Sequence, residues 1–387
     1  MPLNELPPQQ LALSEEIRAF DAARADEVEA KHQLLIEYLH LKGFDALLLQ
    51  SPEMFRWLTA GASNQRLDGR TFAALFITRE ARVVLCSQVD SPQLFDRDLN
   101  GFGFLLKERP WTDDPESLRQ DCLRTRRVGS DIWYPGAINV GGELVDFRLK
   151  LTAREQQLAR EVGAQLTHAV EATGRTVSRG ESELEIMGQL SHRLLKHGIR
   201  PVQLQILADG RTQRYRSWTA GPDAVNEHCT LVAVGGRAGI HVGVARTISF
   251  GAPNASLQDP FDIATLLQAT GIHFSTVGWR FEETWQRVER IYEKFGVPDE
   301  WRLAEQGEFL GCGPCEQRFT PRCNREIPSD SLLCWHPSVR SGLVMDTCLI
   351  HAAGPEVVTP AMNWPTVSVR VKTKEITLPA ILIREQS

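Results

Sequence analysis

At 387 residues the chain is longer than one hydrophobic core usually serves, which sets two domains as the expectation. A composition of 42% hydrophobic and 24% charged residues, with 29 glycines and 21 prolines, excludes a disordered, collagenous or repeat-built chain. The formal net charge of -6 leaves no electrostatic footprint for nucleic acid. No apolar run is long enough to span a bilayer, and the acidic N-terminal stretch lacks a secretory layout. Neither a membrane nor a nucleic acid is therefore expected as partner, and the expected location is cytoplasmic. The eight cysteines are expected as reduced thiols, four of them crowded at Cys312, Cys315, Cys323 and Cys334.

Residues 14–31 are polar, with Ile17, Phe20 and Ala23 on one helical face, and predict a short lead-in helix. Leu34–Leu41 reads as a second helix stopped by Gly43. The short apolar runs 45–50, 72–78 and 82–86 read as strands, so an α/β domain is expected to end near residue 150. A capping-box pair, Thr152 with Glu155, then opens a helix whose Leu158, Val162, Leu166 and Val170 share one face. Ser182 with Glu185 opens another that buries Ile186, Leu190 and Leu194. A third helix is expected over 281–295, with Gly296 as its stop. Strand-like runs at 231–234, 242–250, 332–335, 343–350 and 367–383 make the second half helices against a mainly antiparallel sheet. The expected organisation is a lead-in over 1–30, one domain over 31–150 and another over 151–387.

Several phrases in this order resemble the pita-bread family of creatinase, prolidase and aminopeptidase P. They are GFDALLLQSPEMFRWLTAG (43–61), SRGESELEI (178–186), VGGRAGIHVGVARTISFG (234–251) and GLVMDTCLIHAAGPEVVT (342–359). EWRLAEQGEFLGCGPCE (300–316) and CWHPSVRSG (334–342) are similar to a bacterial prolidase-like branch. The resemblance implies an α/β N-terminal domain followed by an α+β pita-bread domain, and a homodimer. The family's peptidases hold two divalent metals with two aspartates, a histidine and two glutamates, which make a bridging water nucleophilic. On this chain the aspartates fall at Val232 or Ala233 and at Gly243. The histidine falls at Glu305 or Cys312, and the glutamates at His336 and Met345. None of the five residue types is present, so neither metal nor other cofactor is expected. Creatinase works without metal through a histidine, but that position maps near Ser217 or Trp218.

What remains near the implied cleft points to a metal-independent enzyme hydrolysing a C–N bond, amide or guanidino, in a small anionic substrate or short peptide. His336 is the candidate acid/base, against the reading of a hydrogen-bonded core histidine. Cys312 is a candidate nucleophile beside it, and Glu316 a candidate for orienting a substrate amine. Arg216, Arg237 and Arg66 are candidate anion clamps, because a guanidinium fork matches a carboxylate. His241 is a candidate substrate contact, against the commoner outcome of an exposed turn histidine. Arg246 and Asp346 read as an internal ion pair and a structural carboxylate. The four clustered cysteines admit three readings: small buried residues, a structural zinc site, or a CxxC redox pair. Two alternatives to hydrolysis without metal stay open. One is a catalytically silent member that binds a ligand or protein, and the other an atypical Xaa-Pro metallopeptidase.

Overall fold

The computed structural model describes residues 20–385, so residues 1–19, among them Ile17 and the first six residues of the expected lead-in helix, lie outside the described residues. Helix α1 (Ala22–Lys42) starts where the Asp21 carboxylate accepts from the Arg24 amide at 3.0 Å. It ends at Gly43, whose φ of 65° lets two backbone bonds close the last turn. The two helices read from the sequence are thus one, because nothing between residues 31 and 34 breaks the backbone ladder. There follow β1 (Ala46–Leu49), α2 (Pro52–Leu58), β2 (Ala73–Ile77), β3 (Arg82–Ser87), β4 (Phe104–Arg109), α3 (Pro115–Leu123), β5 (Val128–Ser130) and β6 (Ile138–Asn139). They form a six-stranded sheet in the order β4-β3-β2-β1-β5-β6. Only β2 runs against the others. β1 and β2 are buried along their whole length, as unbroken apolar runs in a covered sheet should be.

Helix α4 (Gly141–Leu149) carries the division into two compact units, which falls between Leu144 and Val145 rather than at residue 150. In the second unit α5 (Ala153–Thr176) and α6 (Glu183–Lys196) both open with complete capping boxes, Thr152 with Glu155 and Ser182 with Glu185. The strands β7 (Arg200–Ala208), β8 (His228–Arg237) and β9 (Ile240–Phe250) form an antiparallel meander. Val162, Leu166 and Val170 of α5 and Ile186, Leu190 and Leu194 of α6 share one core with the meander.

Helix α7 (Ala255–Phe274) was not visible as a helix in the sequence. It is buried nearly all round and carries Pro260 within its first turns, so it lacks the polar stripe that marks a surface helix. Next come α8 (Phe281–Lys294), β10 (Gly307–Leu310), β11 (Gln317–Arg318), β12 (Ser331–Trp335), β13 (Ser338–Val339), β14 (Gly342–Leu343), β15 (Asp346–His351) and β16 (Gly354–Val357). The chain closes with β17 (Thr366–Val371), β18 (Lys374–Pro379) and β19 (Leu382–Arg384). Two sheets dominate this unit, β11-β10-β12-β15-β16 and β19-β9-β8-β7. One face of β10, β12 and β15 packs toward β8 and β9, and the other packs on α7 and α8. Among the described residues no helix is long and apolar enough to cross a membrane.

Candidate functional site

The interior between the two sheets of the second unit is stitched by Thr347. Its hydroxyl donates to the Gly243 carbonyl at 2.7 Å and accepts from the Gly243 amide at 3.0 Å. The Ala245 amide donates to the Met345 carbonyl at 2.9 Å, so β9 and the start of β15 lie against each other. Positions that the resemblance marks for ligands fall in or beside this interior: Val232 or Ala233, Gly243, Cys312 in one of the histidine's two registers, and Met345 are apolar, glycine or thiol. A Cβ added to Gly243 would lie 3.0 Å from Met345 Sδ and 3.2 Å from Cys334 Sγ. Sulfur therefore fills the space in which a metal-binding aspartate would need to extend. Two hard divalent cations want carboxylate oxygens, and the donors here are the Cys312 and Cys334 thiols, the Met345 thioether and the His336 imidazole. The residues present do not fit a dinuclear metal centre. Among the described residues no three His, Cys, Asp or Glu side chains gather as a metal-binding group.

Asp346 alternates to the other side of the strand from Met345, as the twofold period requires. It accepts from Arg246 Nη1 at 3.0 Å, from Thr359 Oγ1 at 2.9 Å and from Gln268 Nε2 at 3.3 Å. Burial raises the Asp346 carboxyl above its ordinary range, and these partners only partly offset that. Arg246 also reaches Glu171 at 3.3 Å and the Thr359 carbonyl at 2.8 Å. This network is fully internal and supports the structural reading of both residues.

Polar chemistry collects instead at the margin of the same face. His336 Nε2 stands 3.6 Å from Glu308 Oε1, with both side chains mostly covered. The Cys315 thiol hydrogen-bonds to Glu308 from the loop that folds back after β10. Burial pushes the Glu308 carboxyl up, but His336, Cys315 and Arg318 together outweigh it and hold the group below its usual value. The Cys315 thiol is pushed up to about 12, by desolvation first and then by the Glu308 charge. Glu308 is thus a held carboxylate and Cys315 a quiescent thiol, although its residue surface is exposed. Sequence reasoning did not single out Glu308. The available signal was a charged residue alternating with Gly307 and Phe309 in a strand that must bury both faces.

The other candidates are dispersed. Cys312 is buried at the far end of β10 from His336: Leu310 pairs with Leu332, whereas His336 follows Trp335, the partner of Gly307. About 13 Å of strand intervenes, so Cys312 is no nucleophile for His336. Glu316 is committed to Arg148 at 2.7 Å and to the Gly313 amide at 2.8 Å, which closes the 311–316 loop. His241 is a buried strand residue, because the hairpin already turns at Ala238 and Gly239, both with positive φ. Its Nδ1 lies 3.0 Å from the Gly311 carbonyl. Arg216 pairs with Glu300 at 2.5 Å, while Arg237 binds Gln165 at 2.7 Å and Glu161 at 3.2 Å. Arg216 sits in the loop after β7 and Arg237 at the end of β8, each committed to a carboxylate of its own rather than to a shared anion. Arg66 belongs to the first unit, where it pairs with Asp90 at 2.5 Å. Four thiols do not assemble either: Cys334 lies in the core facing β8 and β9, while Cys323 packs into the core on the opposite face.

Residues 157–339 match the sequence profile of metallopeptidase family M24. No curated protein matches the chain. Among solved structures it is similar to an Xaa-Pro dipeptidase from Bacillus anthracis, at a TM-score of 0.72 and 16% identity, covering 92% of this chain and 100% of that one. Dipeptidase PepE from Mycobacterium ulcerans gives a TM-score of 0.74 at 12% identity, over 95% of this chain and 100% of that one. The N-terminal domain of the FACT complex subunit SPT16 from Cicer arietinum gives 0.68 at 13%, over 89% and 98%. With that fold over nearly the whole chain, and that profile match inside the second unit, the protein has the pita-bread fold, and its second unit is similar to metallopeptidase family M24.

Proposed function

We propose that this chain is a pita-bread protein whose second unit no longer carries out dinuclear-metal peptide hydrolysis and works as a binding module. The observation that carries the reading is the packing at Gly243, where Met345 and Cys334 sulfurs occupy the space of a ligand side chain. The fold tolerates such a role: one of its structural neighbours is named as a subunit of a complex rather than for an activity. The cytoplasmic location and the homodimer that the resemblance implies belong to the same proposal.

The test is to assay purified protein on Ala-Pro with Mn(II), Co(II) or Zn(II), alongside elemental analysis. No turnover and less than one divalent ion per chain are the expected results. Hydrolysis accompanied by two bound ions per chain would overturn the proposal in favour of an atypical Xaa-Pro metallopeptidase.

The pairing of His336 with Glu308 favours a second reading, metal-independent hydrolysis of a C–N bond in a small anionic substrate. A carboxylate close to an imidazole is an arrangement that acid/base chemistry uses. Cys312 and Glu316 have no part in that version, since the first is distant and the second is spent on Arg148. A panel of amide and guanidino acids, assayed in chelator, decides it. Turnover that falls at least a hundredfold in His336→Ala would replace the binding reading, and no turnover would retire this one.

A further inference from the structure

We propose that the tip of the β17–β18 hairpin, together with the end of α7 and one turn of α8, is a docking surface for an acidic segment of a partner protein. The hairpin is a two-stranded sheet of its own. Val371 pairs with Lys374, so Lys372 and Thr373 make its turn. Lys372 holds φ at 53°, a backbone region that disfavours a side chain and that glycine or asparagine usually fills in such a turn. A lysine kept there implies a use for its charge. The surface lies on the α7–α8 side of the second unit, away from the interior around Gly243, so it does not depend on the reading of that interior.

Three elements bring the cations together. Lys372 Nζ lies 5.0 Å from the centre of the Phe274 ring at the end of α7, and Arg287 Cζ of α8 lies 5.6 Å from the same point. The His273 ring stands edge-on to Phe274 at 4.7 Å. Burial holds the His273 imidazole below its ordinary pKa, and the charges of Lys374 and Lys372 lower it further with no carboxylate opposing them. The acids that local structure brings closest are turned away. Glu283, one helical turn before Arg287, accepts from the Arg280 amide at 2.8 Å, and Arg290 stands one turn after it. Glu375 follows Lys374, so it points to the opposite face of the strand, where it accepts from Ser368 Oγ at 3.2 Å. Other exposed arginines of this unit do find carboxylates, as Arg160 does with Glu356 at 2.8 Å and Arg302 with Asp299 at 3.1 Å. Among the described residues Arg287, Lys372 and Lys374 form no ion pair. In a chain of net charge -6 such a group is a local exception, and it selects a partner of opposite sign. The cations surround a ring rather than converge on one point. Carboxylates recurring about every 7 Å along one face of an extended chain meet them better than a single small anion.

Fluorescence anisotropy of the full chain with a labelled octapeptide of alternating glutamate and serine tests the proposal, against the same peptide with glutamine. Binding at low salt is expected, at least tenfold weaker for the glutamine peptide and weakening as salt screens the charges. Lys372→Glu combined with Lys374→Glu is expected to weaken the glutamate peptide at least tenfold. Lys196→Glu combined with Arg200→Glu, on α6 and β7, changes the net charge equally and should alter affinity less than twofold. All four side chains are exposed, so both double variants keep the packing. Equal affinity for the two peptides, no binding at low salt, or equal losses in the two double variants would overturn the proposal. So would phosphatidylserine vesicles or a single-stranded oligonucleotide that bound at least tenfold more tightly than the glutamate peptide and lost that advantage in the Lys372→Glu, Lys374→Glu variant, because the surface would then serve a lipid or a nucleic acid.

Discussion

Gly243 sets how much room the interior of the second unit has. Even a methyl group there would lie 3.0 Å from Met345 Sδ and 3.2 Å from Cys334 Sγ, so one of these two buried side chains must give way. Gly243→Ala should destabilise the protein by about 1–3 kcal/mol, the usual cost of overpacking, and Met345→Ala in the same chain should recover part of that loss. Urea unfolding of the single and double variants measures both. At the margin of the same face, Glu308 has a depressed pKa. Its contribution to stability is therefore complete above the ordinary glutamate value and is lost as pH falls through the lower folded value. Glu308→Gln should lower stability at neutral pH and flatten the loss seen in acid, as followed by thermal melts from pH 7 to 3. The same substitution removes the charge that pushes the Cys315 thiol up. Iodoacetamide at pH 8 should modify Cys315 at least tenfold more slowly than a free cysteine, and faster in Glu308→Gln, by peptide mass spectrometry. The residue types at the positions that the resemblance marks for ligands were legible, since a resemblance supplies positions and the sequence supplies occupants. Glu308 was not, because its partners Cys315 and His336 arrive through a loop reversal and a strand pairing that no local spacing announces.

At the scale of elements, the helices that announce themselves are those with a cap and one apolar stripe. Both capping boxes form as the Ser/Thr-x-x-Glu pattern predicts, since each side chain answers an amide left open by the first turn. Thr152→Ala should cost about 1 kcal/mol in urea unfolding, the usual loss for an N-cap. Helix α7 shows the opposite case: its burial on nearly every side erases the period on which such a reading depends. The strands of the second unit were readable as apolar runs, but their register came from contacts distant in sequence. Arg246 illustrates this, for it joins Glu171 on α5 to Asp346 on β15, residues 75 and 100 positions away. Removing it as Arg246→Met strands two buried carboxylates and should cost roughly 3–5 kcal/mol or prevent folding, read by denaturation or by soluble yield.

For the molecule as a whole, the eight cysteines become ordinary. None forms a disulfide; Cys86, Cys122, Cys229, Cys312, Cys334 and Cys348 are buried. Alkylation under denaturing conditions without reductant should label all eight, and a reductant should leave the melting temperature unchanged. The fold was legible because a succession of elements survives wide sequence change. Function was harder to read, since chemistry depends on a few side chains meeting in space. In this chain Gly243, Met345 and Cys334 meet as packing.

That packing also has a direction in time. A first step back toward a metal centre, placing aspartate at position 243, would bury a charge against two sulfurs before any cation could repay it. The intermediate sequences would be poorly folded until Met345, Cys334 and Val232 had changed as well. The closed interior therefore resists a carboxylate at position 243 unless its neighbours change with it.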